Sequence, residues 1–167
     1  MNDLKWIWLP EGKYPDNQTA RLNALSGKPD TGYTVCELKR SYAFEARVVK
    51  AHLRFSGDTA FQLCLNGAPV ATGPASVGGD FIGNGSVRDN YYYYETELSP
   101  NTETLDFFAR VRLMPVQICE YSKGHGGFAL SAELTLEDGR TEHISTDESW
   151  LIRKKERTRL REPMTGG

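Results

Sequence analysis

KAHLRFSGDTAFQLCLNGAPVATGP, Lys50 to Pro74, is the stretch that decides the fold. Ala51, Leu53 and Phe55 alternate with His52 and Arg54, and Phe61, Leu63 and Leu65 alternate with Gln62 and Cys64. Period-two alternation over short runs is the pattern of strands that bury one face. Ser56-Gly57-Asp58 reads as the turn between these two strands. Asn66-Gly67 then supplies the two positive-φ residues that a type I′ hairpin needs. Val70 and Ala71 open the return strand, and Gly73-Pro74 ends it, because proline has no N–H to give a ladder. Two strands and a hairpin of this kind predict an antiparallel sandwich.

The flanking sequence extends the same pattern. Trp6-Ile7-Trp8 reads as a short strand, and the polar stretch from Glu11 to Gly32 as a loop. A strand is expected from Tyr33 to Phe44. Ala75 to Asn90 holds Gly78, Gly79, Gly83 and Gly85, and reads as a long surface loop. Tyr91 to Leu98 follows as a strand with Tyr92, Tyr94, Thr96 and Leu98 inward and Tyr91, Tyr93, Glu95 and Glu97 outward. Thr104 to Met114 reads as the longest strand, with Leu105, Phe107, Ala109, Val111 and Leu113 on one face and Asp106, Phe108, Arg110 and Arg112 on the other. After a glycine-rich loop from Glu120 to Gly127, the alternation resumes at Phe128 and runs to Leu136. Asp138-Gly139 turns the chain into Thr141 to Ser145, and Trp150 and Leu151-Ile152 follow. No amphipathic helix longer than two turns is visible, though the loop from Glu11 to Gly32 can hold a short helical turn near Ala20 to Leu25. Many strands joined by turns of uneven length predict an all-β protein, an antiparallel β-sandwich of the jelly-roll kind.

A chain of 167 residues reads as one domain, residues 1–152, with a basic linker or tail at 153–167 leading toward a following domain. The formal net charge of −2 argues against a general nucleic-acid binder. No 18-residue apolar run is present for a membrane-spanning helix, and MNDLKWIWLPEG lacks the apolar core of a signal peptide. Cys36, Cys64 and Cys119 are an odd number at wide spacing, which is not a disulfide framework. Reduced structural thiols favour a cytoplasmic location.

Taken in order, the landmarks carry a resemblance. They are WIW near the start, CELKRSYAFE, the Ala51 to Pro74 run, the tyrosine-rich strand, and the closing Thr146-Asp147-Glu148-Ser149-Trp150. Together they resemble the N-terminal β-sandwich region of bacterial α-L-rhamnosidases. Similar galactose-binding-like sandwiches occur in other glycosidases. The resemblance spans nearly the whole chain. It departs from the family pattern at NTETLDFF, where a Gly-x-Asn element is usual. It implies a galactose-binding-like fold and a position beside a catalytic (α/α) barrel of the parent chain, which would be the partner of this domain. The family's acid and base lie on that barrel, and the reaction implied is inverting hydrolysis of terminal α-L-rhamnosyl bonds. No catalytic residue is therefore expected here.

Carbohydrate binding needs an aromatic platform for the C–H face of a pyranose and polar groups for its hydroxyls. Phe81, Asn84, Arg88, Tyr91 and Tyr93 are the candidates, with Trp6, Trp8, Asp80 and Asp89 nearby in kind. No cofactor is expected. A calcium ion, whose oxygen ligands leave no strict motif, would take Asp80, Asn84 and Asp89. His52, His125 and His143 have no ligand spacing. Asp138 and the Asp147-Glu148 pair are read as turn carboxylates rather than a glycosidase pair. The expected function is a non-catalytic accessory module of a glycoside hydrolase. The alternatives are a stand-alone lectin-like module, or a structural or protein-interaction domain that takes no ligand.

Overall fold

A computed structural model describes residues 4–9, 33–74, 93–113 and 126–155. The described residues form eight strands and no helix. They are β1 Thr34–Asp58, β2 Ala60–Leu65, β3 Ala68–Pro74, β4 Tyr94–Leu98, β5 Thr102–Leu113, β6 Gly127–Leu136, β7 Thr141–Ser145 and β8 Leu151–Lys154. All pairings are antiparallel.

Strand β1 belongs to both layers. Its first half pairs with β5 and β8, and β5 continues through β2 to β3. Its second half pairs with β4 on one edge and β6 on the other, and β6 continues to β7. The result is a sandwich of β3-β2-β5-β1-β8 on β4-β1-β6-β7. The all-β, antiparallel reading is the fold observed.

The crossing of β1 between layers has a clear cause. Cys36 and Leu38 are buried in its first half, and Ala46 and Val48 continue the even-numbered inward set. In the second half the buried apolar residues are Ala51, Leu53 and Phe55, which are odd-numbered. Strand pleating alone cannot switch parity. The switch is made by a bulge: Val48 faces Leu136 while Lys50 faces Thr135, so Val49 is one extra residue against β6. The ladder to β5 breaks at the same place, between Ala43 and Val48.

Three local expectations are corrected here. Tyr33–Phe44 and the strand around Ala51 are one 25-residue strand, so β5 is not the longest. Ser56-Gly57-Asp58 is not a turn, because these residues pair with Ala129, Phe128 and Gly127 of β6. The strands on either side of them lie in opposite layers and meet across the core. Phe55 packs edge-on against Phe61 with ring centroids 5.7 Å apart. Gly57 permits this close return, since a Cβ there would lie 2.8 Å from the Phe61 Cβ. The return strand after Asn66-Gly67 begins at Ala68 rather than Val70.

Other elements follow the alternation read from the sequence. Leu105, Phe107, Ala109, Val111 and Leu113 of β5 are buried, as are Phe128, Leu130, Ala132, Leu134 and Leu136 of β6. Each fully buried Leu or Phe contributes about 1.5–3 kcal/mol through the apolar surface it takes from water. Trp150 is buried between Phe107 of one layer and Phe128 of the other, at 6.1 and 5.8 Å. Its indole N–H donates to the Tyr42 hydroxyl, which in turn donates to the Ser145 carbonyl. The Thr146–Trp150 element is thus a structural clasp. Asp147 accepts the Ser149 N–H at 2.8 Å, and Thr146 accepts the Leu130 N–H at 3.1 Å.

Candidate functional site

The outer face of the five-stranded layer carries the cavity. Along β5 the alternation that buries Ala109, Val111 and Leu113 turns Arg110 and Arg112 outward. Register then sets their neighbours. Arg110 lies between Glu37 of β1 and Gln62 of β2, and Gln62 faces Thr72 of β3. Arg112 lies between Val35 and Ala60. On the far side of β1, Arg153 of β8 faces Glu37. The Lys155 N–H donates to the Val35 carbonyl at 2.7 Å, which extends the strand pairing by one step.

These residues border a cavity of about 680 Å³. Its polar walls are Gln62, Thr72, Arg110, Arg112 and Lys155, and its apolar walls include Tyr33, Val35 and Phe61. Gly73 lines it where β3 passes the Tyr94 hydroxyl; a Cβ there would sit 2.7 Å from that oxygen. The volume falls in the range of about 300–1,000 Å³ common for small-ligand sites.

The charge balance of this face is positive. Glu37 is buried and accepts from Arg110 at 2.9 Å and from Arg153 at 2.5 Å, one guanidinium on each oxygen. Those two hydrogen bonds, Arg153's the larger in effect, hold its carboxyl down to about 2. Arg110 also lies over the Phe108 ring, 5.6 Å from its centroid. The Arg110 Nε is buried without a hydrogen-bond partner among the described residues. Arg112 is exposed, and among the described residues no acidic side chain pairs with it. Arginine forks and neutral amide and hydroxyl groups on one concave surface can orient a polar ligand while Tyr33 offers an aromatic side.

The residues expected from sequence fall elsewhere. Phe81, Asn84, Arg88 and Tyr91 lie outside the described residues, as do Asp80, Asp89, His125 and Cys119. Tyr93 stands just before β4, is 54% exposed, and does not line the cavity. The Arg54 guanidinium lies 6.0 Å from its ring centroid and pairs with Glu95 at 2.6 Å. As expected, Tyr94 and Thr96 turn inward and Glu95 and Glu97 outward. The rings of Trp6 and Trp8 lie on Gly127 and Gly126, where a Cβ would come within 2.6 and 2.4 Å of them. They cap the sandwich more than they offer a platform, although Trp6 is 41% exposed.

Of the histidines, His52 reaches Glu95 only at 4.0 Å. His143 faces Glu133 across the β6–β7 pair. Among the described residues no group of three or more His, Cys, Asp or Glu side chains is placed to hold a metal ion. Cys36 and Cys64 are free thiols, and burial pushes the Cys36 thiol up to about 12. Asp138 is held by the Arg140 backbone N–H and side chain. The cavity residues were within reach of the sequence only in part. The outward parity of Arg110 and Arg112 was legible, but their meeting with Gln62 and Thr72 depends on strand order.

Comparison with known proteins returns the same architecture. No family model matches the chain, and no curated protein matches it in sequence. Among solved structures, a GH78 family rhamnosidase of Bacillus sp. GL1 matches with a TM-score of 0.57 and 23% identity, over 89% of this chain and 13% of that one. The α-L-rhamnosidase of Dictyoglumus thermophilum matches with a TM-score of 0.56 and 17% identity, over 72% of this chain and 13% of that one. The Pleurotus ostreatus lectin matches with a TM-score of 0.55 and 18% identity, over 90% of this chain and 34% of that one. The chain thus spans about an eighth of the rhamnosidases and a third of the lectin. The resemblance to α-L-rhamnosidases reappears at the level of the fold.

Proposed function

We propose that this domain is a non-catalytic carbohydrate-binding module of a larger glycoside hydrolase of the α-L-rhamnosidase kind. One observation carries the reading: the fold covers 89% of this chain but only 13% of a rhamnosidase, the relation of one domain to a multidomain enzyme. In this account the catalytic acid and base lie on another domain of the parent chain, against which this sandwich packs. The cavity between β1, β2, β3 and β5 takes the saccharide. Tyr33 covers a sugar face, and Gln62, Thr72 and Arg110 bond its hydroxyls.

A second reading has its own support. The lectin match, over 90% of this chain, favours a saccharide-binding domain that works without a catalytic partner. Both readings require binding. Calorimetric titration of the domain with rhamnose, galactose and oligosaccharides containing them is the test. Heat that saturates at millimolar sugar or below is the expected outcome. No heat with any sugar, from a domain shown to be folded, would leave a purely structural role.

A further inference from the structure

Arg110 and Arg112 occupy successive outward positions on β5, about 7 Å apart at the strand's rise per residue pair. The first already shows what this face does with a carboxylate. Glu37 is buried, with one oxygen on Arg110 at 2.9 Å and the other on Arg153 at 2.5 Å. One row further along, Arg112 stands on the same face, exposed, and no carboxylate pairs with it among the described residues. Lys155 lines the cavity beside it, and among the described residues no Asp or Glu lines the cavity. Gln62 and Thr72 add neutral groups suited to hydroxyls, and Tyr33 adds an aromatic surface. Guanidinium groups match the planar, two-oxygen geometry of a carboxylate, and in a partly enclosed site such bonds gain strength.

We infer that the cavity selects an acidic saccharide, with the carboxylate of a uronate residue seated on Arg112 and Lys155 and the neighbouring hydroxyls on Gln62, Thr72 and Arg110. This rests on the carbohydrate-binding reading and narrows its ligand class. A carboxylate fits better than a nucleic-acid phosphate. The site is a concave pocket rather than a track, and the chain as a whole carries a formal net charge of −2.

The test compares four probes on the intact chain by calorimetry. They are a galacturonate oligosaccharide, a neutral oligosaccharide of the same length, a sulfated one, and a single-stranded oligonucleotide. Arg112→Gln and Lys155→Gln are the variants, because Arg110 also holds Glu37 and its loss would disturb the fold. The galacturonate oligomer is expected to bind tightest and to weaken as salt is raised. Arg112→Gln is expected to weaken it about ten-fold or more, the size of a lost charge-assisted hydrogen bond. The same variant should weaken the neutral probe by a smaller factor, so that the preference for the acidic oligomer shrinks. Equal or tighter binding of the neutral probe overturns the acidic assignment and leaves carbohydrate binding standing. Tighter binding of the sulfated probe or the oligonucleotide overturns the carboxylate. Binding of none of the four overturns both readings.

Discussion

Asn66 anchors the hairpin to its neighbour strand as well as turning it. Its φ of 49° and the 78° of Gly67 make the two-residue turn between β2 and β3. Its side-chain oxygen accepts the Asp106 N–H at 2.7 Å, and its amide donates to the Thr104 carbonyl at 3.2 Å. Asn66→Ala loses both bonds and places a Cβ residue without a local partner in the left-handed region. The expected cost is about 1–2 kcal/mol by urea unfolding, and a change below about 0.3 kcal/mol would show that the side-chain ties are idle. Glu37 gives a second test with a defined sign. Its folded pKa of about 2 lies below the ordinary glutamate value of about 4.3. The stabilisation is therefore present above about pH 4.3 and is lost as pH falls through about 2. Melting temperatures of the protein and of Glu37→Gln should differ at neutral pH and converge toward pH 2. A gap that stays constant down to pH 2 would mean that the two arginines do not govern this carboxyl.

Strand β1 depends on a single extra residue. Deleting Val49 removes the bulge and leaves one half of the strand with the wrong face inward, either Ala51, Leu53 and Phe55 or the Cys36 and Leu38 half. The loss should exceed several kcal/mol, since each large apolar side chain turned outward forfeits about 1.5–3 kcal/mol. Far-ultraviolet circular dichroism and amide dispersion of the deletion variant are expected to show an unfolded chain; a well-dispersed, normally stable protein would refute the parity argument. The same strand shows what could and could not be read in advance. Strand β5 was plain because Leu105 to Leu113 alternates without a break and Arg110 and Arg112 mark the other face. The bulge was hidden because Val48 and Val49 are both apolar and fit either parity. Ser56-Gly57-Asp58 has the composition of a turn, yet its residues are buried and pair with β6. Aspartate there is held in place: the Asp58 carboxylate accepts the Gly126 N–H at 2.9 Å, a long-range bond with no local signal. Of the candidate site, Tyr93 was legible as an outward residue, but the cavity was not, since β1, β5, β2 and β3 come together only through the order of the sheet.

The two layers share one strand and one core, and their outer faces differ. The five-stranded layer presents Arg110 and Arg153 on the buried carboxylate of Glu37, with Arg112 and Lys155 beside them. The other layer presents Lys50 with Glu97 and Arg54 with Glu95, ion pairs whose charges cancel. The proposed function puts ligand recognition on the first face, and Thr146–Trp150 serves the fold by closing the core between Phe107 and Phe128. The most direct test is a chemical-shift map of the nitrogen-15-labelled protein as saccharide is added. The account predicts saturable shifts at the amides of Gln62, Thr72, Arg110 and Arg112, with β4 and β7 unmoved. Shifts confined to Tyr93 and β4, or none at millimolar saccharide, would contradict it.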